Sequence, residues 1–279
     1  MDGHTVVALI GAGNMAEALL GGLLGTGTVA PNRCIVTNRR DDERLARLAR
    51  AWGVRTTRDK AQLMRDAEVV LLVVKPQDMR EALAEIAPHA SPRHLIVSIA
   101  AGISLDVIER VLDGVPAIRT MPNTSTAVNA SATALCAGRW AGAEHLAVAR
   151  RLFEAVGRVA VVPEPLFDAV TGLSGSGPAY VYLLAEVMVE AGVRAGLDLD
   201  IARDLVTQTV LGAGKMLSES GQQPAVLRAR VTSPNGTTMA AMRVLEARGF
   251  AEAMHEAIER ATARSRELRG EPVPVPGTP

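Results

Sequence analysis

The sequence predicts an α/β fold in which a doubly wound parallel sheet is followed by an all-α domain. First, the apolar run at 6–10 leads directly into a Gly-Ala-Gly turn at 11–13 and then into a helical pattern. Second, short apolar runs alternate with helical patterns up to about position 163, which is typical of βαβ units. Third, every later pattern is helical. We therefore predict a sheet domain at 1–163, a helical domain at 164–269 and a disordered tail at 270–279, which is rich in proline.

The glycine turn is the first candidate binding site. The continuous apolar run before it fits a strand that is buried on both faces of a parallel sheet. Gly11 and Gly13 allow a tight turn and a close approach of the backbone to a ligand, and the amides that open the next helix favour a pyrophosphate. Ala16 takes the third position of the fingerprint and still permits close packing. Such a turn can also be purely structural, but the strand–helix alternation that follows favours dinucleotide binding in a Rossmann-type domain.

The residues after the second predicted strand indicate which dinucleotide is bound. NAD-binding proteins usually carry an acidic residue here, whereas this chain has Asn38 followed by Arg39 and Arg40. A guanidinium pairs with a 2′-phosphate through charge-assisted hydrogen bonds. We therefore predict NADPH as the preferred cofactor and NADH as the alternative, with Arg39 as the better single candidate. The other interpretation is that both arginines are solvated loop charges that balance Asp41 and Asp42.

The rest of the first domain follows the same alternation. Asp59 is predicted to cap a short helix, and Ser104 is predicted to cap a later one. Further strands are predicted at 33–37, 54–56, 69–74, 94–99, 117–120, 131–136 and 159–162, and helices at 43–52, 60–65, 77–86, 105–112 and 142–156.

Lys75 and Pro76 end the apolar strand 69–74. The proline holds Lys75 extended, and the carboxyl end of a strand is the edge of an open α/β sheet where ligands bind. Lys75 is therefore a candidate site residue, although it can also be an ordinary charged strand end.

The second domain contains a helix that is apolar on nearly every side. Its pattern runs over 179–195, and a helix of this kind must be buried. A helical segment of this size offers little to bury it, which suggests that another subunit contributes. Helices are also predicted at 167–173, 201–218, 224–231, 234–247 and 251–268.

The stretch VTSPNGTT at 231–238 is the second candidate site. Ser233 fits the N-cap and Pro234 the first position of a helix. Gly236 and Thr237 then expose backbone amides that no acidic side chain satisfies, which is a natural carboxylate or phosphate site. The alternative is a well-capped helix whose threonines face solvent.

The composition excludes several functional classes. Lysine plus arginine and aspartate plus glutamate both number 30, so the net charge gives no electrostatic case for nucleic acid or an anionic membrane. The helix 179–195 carries Glu186 and Glu190, which argues against a membrane span. The two cysteines form no CxxC, and the five histidines show no ligand spacing. We therefore expect no metal, no targeting signal at 1–4 and a reducing, cytoplasmic compartment.

Together these motifs resemble the pyrroline-5-carboxylate reductase family over about 6–268. The resemblance implies reduction of L-1-pyrroline-5-carboxylate to L-proline by hydride from NAD(P)H, the last step of proline biosynthesis. It also implies homodimers with interleaved helical domains, which often build larger rings such as a pentamer of dimers. The matching motifs are IGAGNMAEAL at 10–19, VKP at 74–76, SIAAGI at 98–103, MPNT at 121–124, DAVTGLSGSGPAY at 168–180 and VTSPNGTT at 231–238.

The resemblance also assigns cofactor contacts. It places the pyrophosphate on Gly11, Ala12, Gly13, Asn14 and Met15. It places the 2′-phosphate near Asn38, Arg39 and Arg40, and the nicotinamide half of the cofactor near Val74, Lys75 and Ala101.

The substrate contacts implied by the resemblance lie mainly in the helical domain. The substrate carboxylate is expected on Ser233, Gly236 and Thr237, with Glu164 nearby. Thr238 is expected to hydrogen-bond the ring nitrogen. Thr238 and Lys75 are the candidate catalytic residues, and the partner's helical domain is expected to complete each site.

The chain departs from the family pattern at several positions. Asn235 replaces a glycine, and asparagine tolerates a positive φ best among the other residues. Ser125 replaces the proline that normally follows MPNT. Asp59 and Arg230 stand where relatives have asparagine near the cofactor, so the ribose contact falls on a carboxylate at Asp59, and Arg230 has no assigned role.

Two rival functions remain on the sequence alone. A β-hydroxyacid dehydrogenase would need a catalytic lysine on a helix of the second domain, where Lys215 is the only lysine. A non-catalytic dinucleotide sensor would use the helical domain to bind a protein. The SPNGTT motif argues against the first rival, and an imine-reductase assay separates the second.

Overall fold

The computed structural model describes residues 5–270. Apart from Gly270, the tail predicted at 270–279 lies outside the described residues. None of the described helices combines the length and apolar character that crossing a membrane requires.

Eight strands form one sheet in the order β3-β2-β1-β4-β5-β6-β7-β8. Their bounds agree with the predicted strands to within three residues at either end. They are β1 Val7–Ile10, β2 Cys34–Thr37, β3 Arg55–Thr56, β4 Val69–Leu72, β5 Leu95–Ser98, β6 Ala117–Met121, β7 Ser131–Ala137 and β8 Gly157–Val161.

Twelve α-helices lie in the described part of the chain. Six of them alternate with the strands: α1 Asn14–Gly25, α2 Asp42–Trp52, α3 Lys60–Asp66, α4 Met79–Ile86, α5 Leu105–Val111 and α6 Ala143–Glu154. The other six follow the last strand: α7 Phe167–Val170, α8 Gly177–Arg194, α9 Leu199–Glu219, α10 Pro224–Arg230, α11 Thr237–Ala247 and α12 Phe250–Arg269.

The sheet is mixed, although the sequence predicted a parallel one. The first six strands are parallel, whereas β7 runs antiparallel to β6 and β8 runs parallel to β7. The connection between β6 and β7 contains only a short 3₁₀ turn, Thr124–Val128, followed by Asn129 in the left-handed conformation. A parallel pair needs a crossover of a dozen or more residues, so this short connection turns the chain back.

The sheet core explains why the strands read as unbroken apolar runs. Alternate residues of β1 point to opposite faces, with Ala8 and Ile10 in one cluster and Val7 and Leu9 in the other. Helices cover both faces, and all four β1 residues are buried. Each apolar residue therefore finds a hydrophobic neighbour on its own side of the sheet.

The chain packs as two compact units. One contains the described residues up to Ser176 together with those from Arg260 onward, and the other is Gly177–Glu259. The domain boundary predicted at 163/164 marks the end of the strands and stays a prediction.

The second unit leaves apolar helix faces uncovered. No residue of α8 is buried in the single chain, and Tyr182, Leu183 and Val187 are each more than half exposed. Large apolar side chains exposed side by side on one helix mark an interaction surface. The helix that the sequence predicted to require burial therefore finds no such burial within its own chain.

The helix predicted at 167–173 changes its winding. After α7 the chain continues as a π-helical turn, Thr171–Gly175, in which the Ser176 amide donates to the Thr171 carbonyl over 2.8 Å. The hydroxyls of Thr171 and Ser174 donate to the carbonyls of Phe167 and Val170. Such side-chain bonds compete with regular helical bonding, and π-turns are frequent at functional sites.

A partly buried ion pair joins the sheet to the segment that leaves it. Arg119 on β6 is 2% exposed, and its Nη1 is 2.9 Å from Glu164 Oε1. The same oxygen accepts the Leu105 amide at the start of α5 over 2.7 Å, and the guanidinium lies 4.6 Å from the centre of the Phe167 ring. Ser104 takes the predicted N-cap position but makes no capping bond, whereas Glu164 accepts the first helical amide, that of Leu105.

We expect Glu164→Gln to lower the free energy of unfolding by about 2–4 kcal/mol, because it leaves the buried Arg119 guanidinium without a counter-charge. Urea denaturation followed by tryptophan fluorescence, at one fixed protein concentration, measures the change. The matched control is Glu154→Gln, which breaks the exposed pair with Arg150 and should cost less than about 0.5 kcal/mol. Equal losses in the two variants would contradict the importance of the Arg119–Glu164 pair.

Candidate functional site

A cavity of about 530 Å³ opens where β1, β2 and β4 end. These strands are neighbours, with β1 in the middle: the chain runs from β1 through β2 to β3 on one side and then crosses to β4 on the other side of β1. Ligands of open α/β sheets bind at such a switch point. The cavity brings together eight of the predicted cofactor residues: Gly11, Ala12, Gly13, Asn38, Arg39, Arg40, Val74 and Lys75.

Gly11 makes this cavity possible. It has φ +114°, and a Cβ placed on it would overlap the Val73 carbonyl oxygen. Its amide donates to the Thr37 carbonyl over 2.9 Å. The turn therefore lies tightly against the chain beyond β4 and is hydrogen-bonded to β2, which only glycine allows.

The first turn of α1 keeps its amides available. Gly13 is the N-cap and offers no capping side chain. The one acidic residue in this turn, Glu17, is held away by Arg44 and Arg47, over 2.7 and 2.9 Å. Ala16 is fully buried, as close helix–strand packing requires. A Cβ on Gly13 would meet only open space, so this backbone can approach a pyrophosphate, and the site fits a dinucleotide.

The loop after β2 is braced by its own side chains. The Asn38 amide nitrogen donates to the Asp41 carbonyl over 2.6 Å, and its oxygen accepts the Asp41 amide over 3.0 Å. The Asp41 carboxylate caps α2 by accepting the Arg44 amide. Asn38 therefore shapes the loop that carries Arg39 and Arg40.

The cations of this cavity face carboxylates on and before α4. Arg39 Nη1 lies 2.5 Å from Glu81 Oε2 and 3.5 Å from Asp78 Oδ1. The hydrogen bond to Glu81, followed by the charges of Glu81 and Asp78, raises the pKa of Arg39 above its ordinary value. Lys60 also forms an ion pair, with its Nζ 3.2 Å from Glu85 Oε2. The cavity therefore contains positive groups that suit a phosphate, but acidic side chains already bind two of these, Arg39 and Lys60.

Four other predicted cofactor residues, Asn14, Met15, Asp59 and Ala101, lie outside the lining of this cavity. Asn14 and Met15 are the first residues of α1. Asp59 is the N-cap of α3, as predicted, and its carboxylate accepts the Gln62 amide over 2.9 Å. The cap uses Oδ1 of Asp59, so a ribose contact would fall to the other carboxylate oxygen, Oδ2.

A second cavity, of about 930 Å³, adjoins the first and shares Gln77 and Glu81 with it. Ala101 and Gly102 line it beyond the end of β5, and Ser176 lines it after the π-turn. Ala101, predicted near the nicotinamide, therefore lies in this cavity, whereas Val74 and Lys75 lie in the first. Lys75 is extended, with ψ 153°, as predicted.

The stretch 231–238 differs from its predicted geometry at one point. Ser233 is not the N-cap, because α11 begins at Thr237 and Gly236 is its N-cap. Asn235 has φ +58°, which interrupts the helix, and the Gly236 amide donates to the Ser233 carbonyl over 3.0 Å. The prediction that asparagine would tolerate a positive φ at 235 is confirmed.

The start of α11 resembles the start of α1. No side chain caps it, and its first turn contains no acidic residue. The amides of Thr237 and Thr238 therefore face no competing carboxylate in their own turn, which suits a bound carboxylate. Thr238 is half-buried and Ser233 is exposed.

The candidate catalytic residues belong to different compact units. Lys75 lies in the unit that contains the sheet, and Thr238 lies in Gly177–Glu259. Glu164, the remaining predicted substrate contact, lies in the sheet unit, where its Oε1 already accepts two hydrogen bonds.

The sequence analysis missed several residues that shape the first cavity. Arg44 Nε donates to the Ala12 carbonyl over 2.8 Å and so braces the glycine turn. Lys60, Asp78, Glu81 and Glu85 line the cavity. The last three had a visible signal, since spacings of three and four residues place them on one face of the helix predicted at 77–86.

Metal-binding groups do not cluster in residues 5–270, where no three histidine, cysteine or acidic side chains could hold an ion together. Burial raises the pKa of the Cys34 thiol to about 12, so this cysteine stays protonated at neutral pH.

Comparisons with known proteins give consistent matches. The family model for pyrroline-5-carboxylate reductase dimerisation matches 164–268, and that for coenzyme F420-dependent NADP oxidoreductases matches 6–102. A pyrroline-5-carboxylate reductase of Synechocystis sp. is 44% identical over 94% of this chain and 97% of its own. The Coxiella burnetii enzyme superposes with a TM-score of 0.91 at 38% identity, covering 95% and 98% of the two chains. The Plasmodium falciparum enzyme, solved with NADP bound, has a TM-score of 0.83 at 25% identity, covering 95% and 98%.

Proposed function

The chain belongs to the pyrroline-5-carboxylate reductase family, and from this premise we propose which residues carry the reaction and which cofactor is preferred. It is an NAD(P)H-dependent reductase that converts L-1-pyrroline-5-carboxylate to L-proline, the final step of proline biosynthesis. The observation that carries this conclusion is the 44% identity over 94% of the chain. The dehydrogenase interpretation of Lys215 and the sensor interpretation are therefore set aside. The cytoplasmic location stays a prediction.

NADPH is the cofactor that the first cavity fits best. The glycine turn and the open amides of α1 would hold the pyrophosphate, while Arg39 and Arg40 would hold the 2′-phosphate. Val74, Lys75 and Ala101 would line the nicotinamide half. A family member with NADP bound supports this choice, and NADH remains the weaker alternative. When bound, the cofactor supplies the hydride.

The substrate carboxylate would bind at the start of α11. Gly236 and Thr237 offer amides there, and the left-handed Asn235 turns the chain so that no earlier helical turn covers them. The hydroxyl of Ser233 would add a further donor. Glu164 would contact the substrate through Oε2, because Oε1 is occupied by Arg119 and Leu105.

Thr238 would hydrogen-bond the ring nitrogen: its hydroxyl would donate to the neutral imine, which makes the neighbouring carbon more electrophilic, or accept from the N–H of the protonated iminium. A threonine hydroxyl is too weak an acid to release its proton, so water or an already protonated substrate supplies it. The remaining contribution is orientation: one helix N-terminus fixes the carboxylate and the other fixes the cofactor. Lys75, at the end of β4, would lie beside the nicotinamide half.

The partner subunit completes each site in this proposal. The family is one with a dimerisation domain, and the uncovered apolar faces of α8 and α9 offer the surface for it. On α9, Ile201 and Leu205 are each more than half exposed. Interleaved helical domains would bury these faces and bring the 231–238 stretch of one chain to the sheet unit of the other. A pentamer of dimers would be the larger assembly.

We expect Thr238→Ala to lower kcat/KM by roughly tenfold to a hundredfold, the effect of removing one hydrogen bond to a charged group. Steady-state kinetics with pyrroline-5-carboxylate measures it, and titration with NADP⁺ should show unchanged cofactor affinity. Thr238→Ser is the matched control, since it keeps the hydroxyl and should retain most of the activity. An alanine variant with unchanged kcat/KM would remove Thr238 from the site.

We expect Arg39→Ala to raise KM for NADPH by about tenfold and KM for NADH by less than about twofold, because only NADPH has the 2′-phosphate. Rates of oxidation of both cofactors by the purified protein give the ratio. Arg50→Ala, which removes an exposed arginine from α2, controls for the change in net charge. Equal losses with both cofactors would show that Arg39 does not recognise the phosphate.

The assembly is tested by sedimentation. We expect a mass that is a multiple of two chains of 29.3 kDa, with ten chains if dimers form a ring of five. Leu183→Asp on α8 should shift the protein toward smaller species and lower activity, since a charge cannot be buried unpaired. An active monomer would contradict the shared site.

A further inference from the structure

An ion pair spans the cofactor cavity from one wall to the other. Arg39 comes from the loop after β2, and Glu81 comes from α4, which follows β4. These two strands flank β1 on opposite sides, so their axes are about 9–10 Å apart. The 2.5 Å distance between Arg39 Nη1 and Glu81 Oε2 therefore bridges the gap beyond the glycine turn.

Arg39 has no carboxylate partner within its own loop. Asp41 caps α2 through the Arg44 amide, and Asp42 pairs with Arg58 over 2.7 Å. The carboxylates that bind Arg39 are those of Glu81 and, at 3.5 Å, Asp78. The idea that local acids balance the arginine is therefore wrong for Arg39: its counter-charge comes from the opposite wall.

Glu81 and a 2′-phosphate compete for the same cation. The phosphate is an anion, and placing it on Arg39 requires the guanidinium to leave Glu81 or to share its donors with a like-charged neighbour. NADH has only a hydroxyl at this position, so the ion pair can persist when NADH binds. We propose that Glu81 is a specificity-determining residue that lowers the preference of this enzyme for NADPH over NADH.

Arg40 offers the 2′-phosphate a second cation, so NADPH can bind despite the competition for Arg39. Arg40 lines the same cavity, and no ion pair engages it in the described part of the chain. A phosphate can therefore bind Arg40 without displacing a carboxylate, while Arg39 adds to affinity only to the extent that Glu81 releases it. The inference rests on the proposed role of Arg39 in NADPH binding. It adds that Glu81 limits how much Arg39 contributes to that binding.

The test is Glu81→Gln, with the affinities for NADP⁺ and NAD⁺ measured by calorimetry and KM measured for NADPH and NADH. An exposed pair is worth up to about 1 kcal/mol, so we expect NADP⁺ to bind about twofold to fivefold more tightly. Because NAD⁺ has no 2′-phosphate to compete with Glu81, its affinity should change by less than about 1.5-fold. Asp78→Asn should act in the same direction and more weakly, because its oxygen is farther from Arg39.

Two comparisons make the test specific. In an Arg39→Ala background, Glu81→Gln should leave the ratio of NADP⁺ to NAD⁺ affinity unchanged, because the competition acts through Arg39. Glu154→Gln removes a carboxylate from an exposed arginine pair on α6 and should leave both affinities unchanged.

Other outcomes would overturn the inference. Weaker NADP⁺ binding in Glu81→Gln would mean that Glu81 positions Arg39 for the phosphate. An equal gain for both cofactors would mean that the pair only obstructs the cavity. If Arg39→Ala alone weakens both cofactors equally, the proposed role of Arg39 fails. If Arg39→Ala is selective but Glu81→Gln has no effect, only the competition fails.

Discussion

The close approach of Gly11 to the Val73 carbonyl is the constraint on which the cofactor site depends. Because Gly11 has no Cβ, the chain can leave β1 and pass directly beside the backbone that follows β4. The Gly11 amide is hydrogen-bonded on the other side to the Thr37 carbonyl at the end of β2. The turn is thus fixed to both neighbours of β1, and α1 begins between the two loops that line the cavity. A side chain at this position would separate β1 from β4 and open the sheet where the site is built.

The strands and most helices were predictable because their signals are local. A strand buried on both faces is apolar throughout, and Asp59 before a helical pattern caps that helix as expected. The direction of β7 was not predictable in this way, because it depends on a 3₁₀ turn and on Asn129 in a left-handed conformation. Similarly, α11 begins three residues later than predicted because Asn235 takes a positive φ.

The site was predictable where the residues that would bind a ligand lie close together in the sequence. The glycine turn and the paired arginines follow single strands, and the structure brings them into one cavity. The counter-charges were not predictable in the same way, because Arg39 and Glu81 are 42 positions apart, and Arg119 and Glu164 are 45 apart. Only the fold brings such groups together. An arginine inside an otherwise uncharged strand, as at Arg119, is nevertheless a signal that a buried partner exists.

The capping residues separate helices that support the fold from helices that are proposed to bind anions. Aspartates accept the first amides of α2, α3 and α9. In contrast, α1 and α11 begin after Gly13 and Gly236, which have no side chain to offer. Glycine at the N-cap costs only a few tenths of a kcal/mol relative to a capping side chain, whereas an aspartate there would repel an incoming phosphate or carboxylate. Since α6 also begins after a glycine, and the ring of His145 accepts the amide of that glycine, glycine alone does not define a binding helix. The two proposed sites combine a glycine N-cap with a first turn in which no free acidic side chain remains.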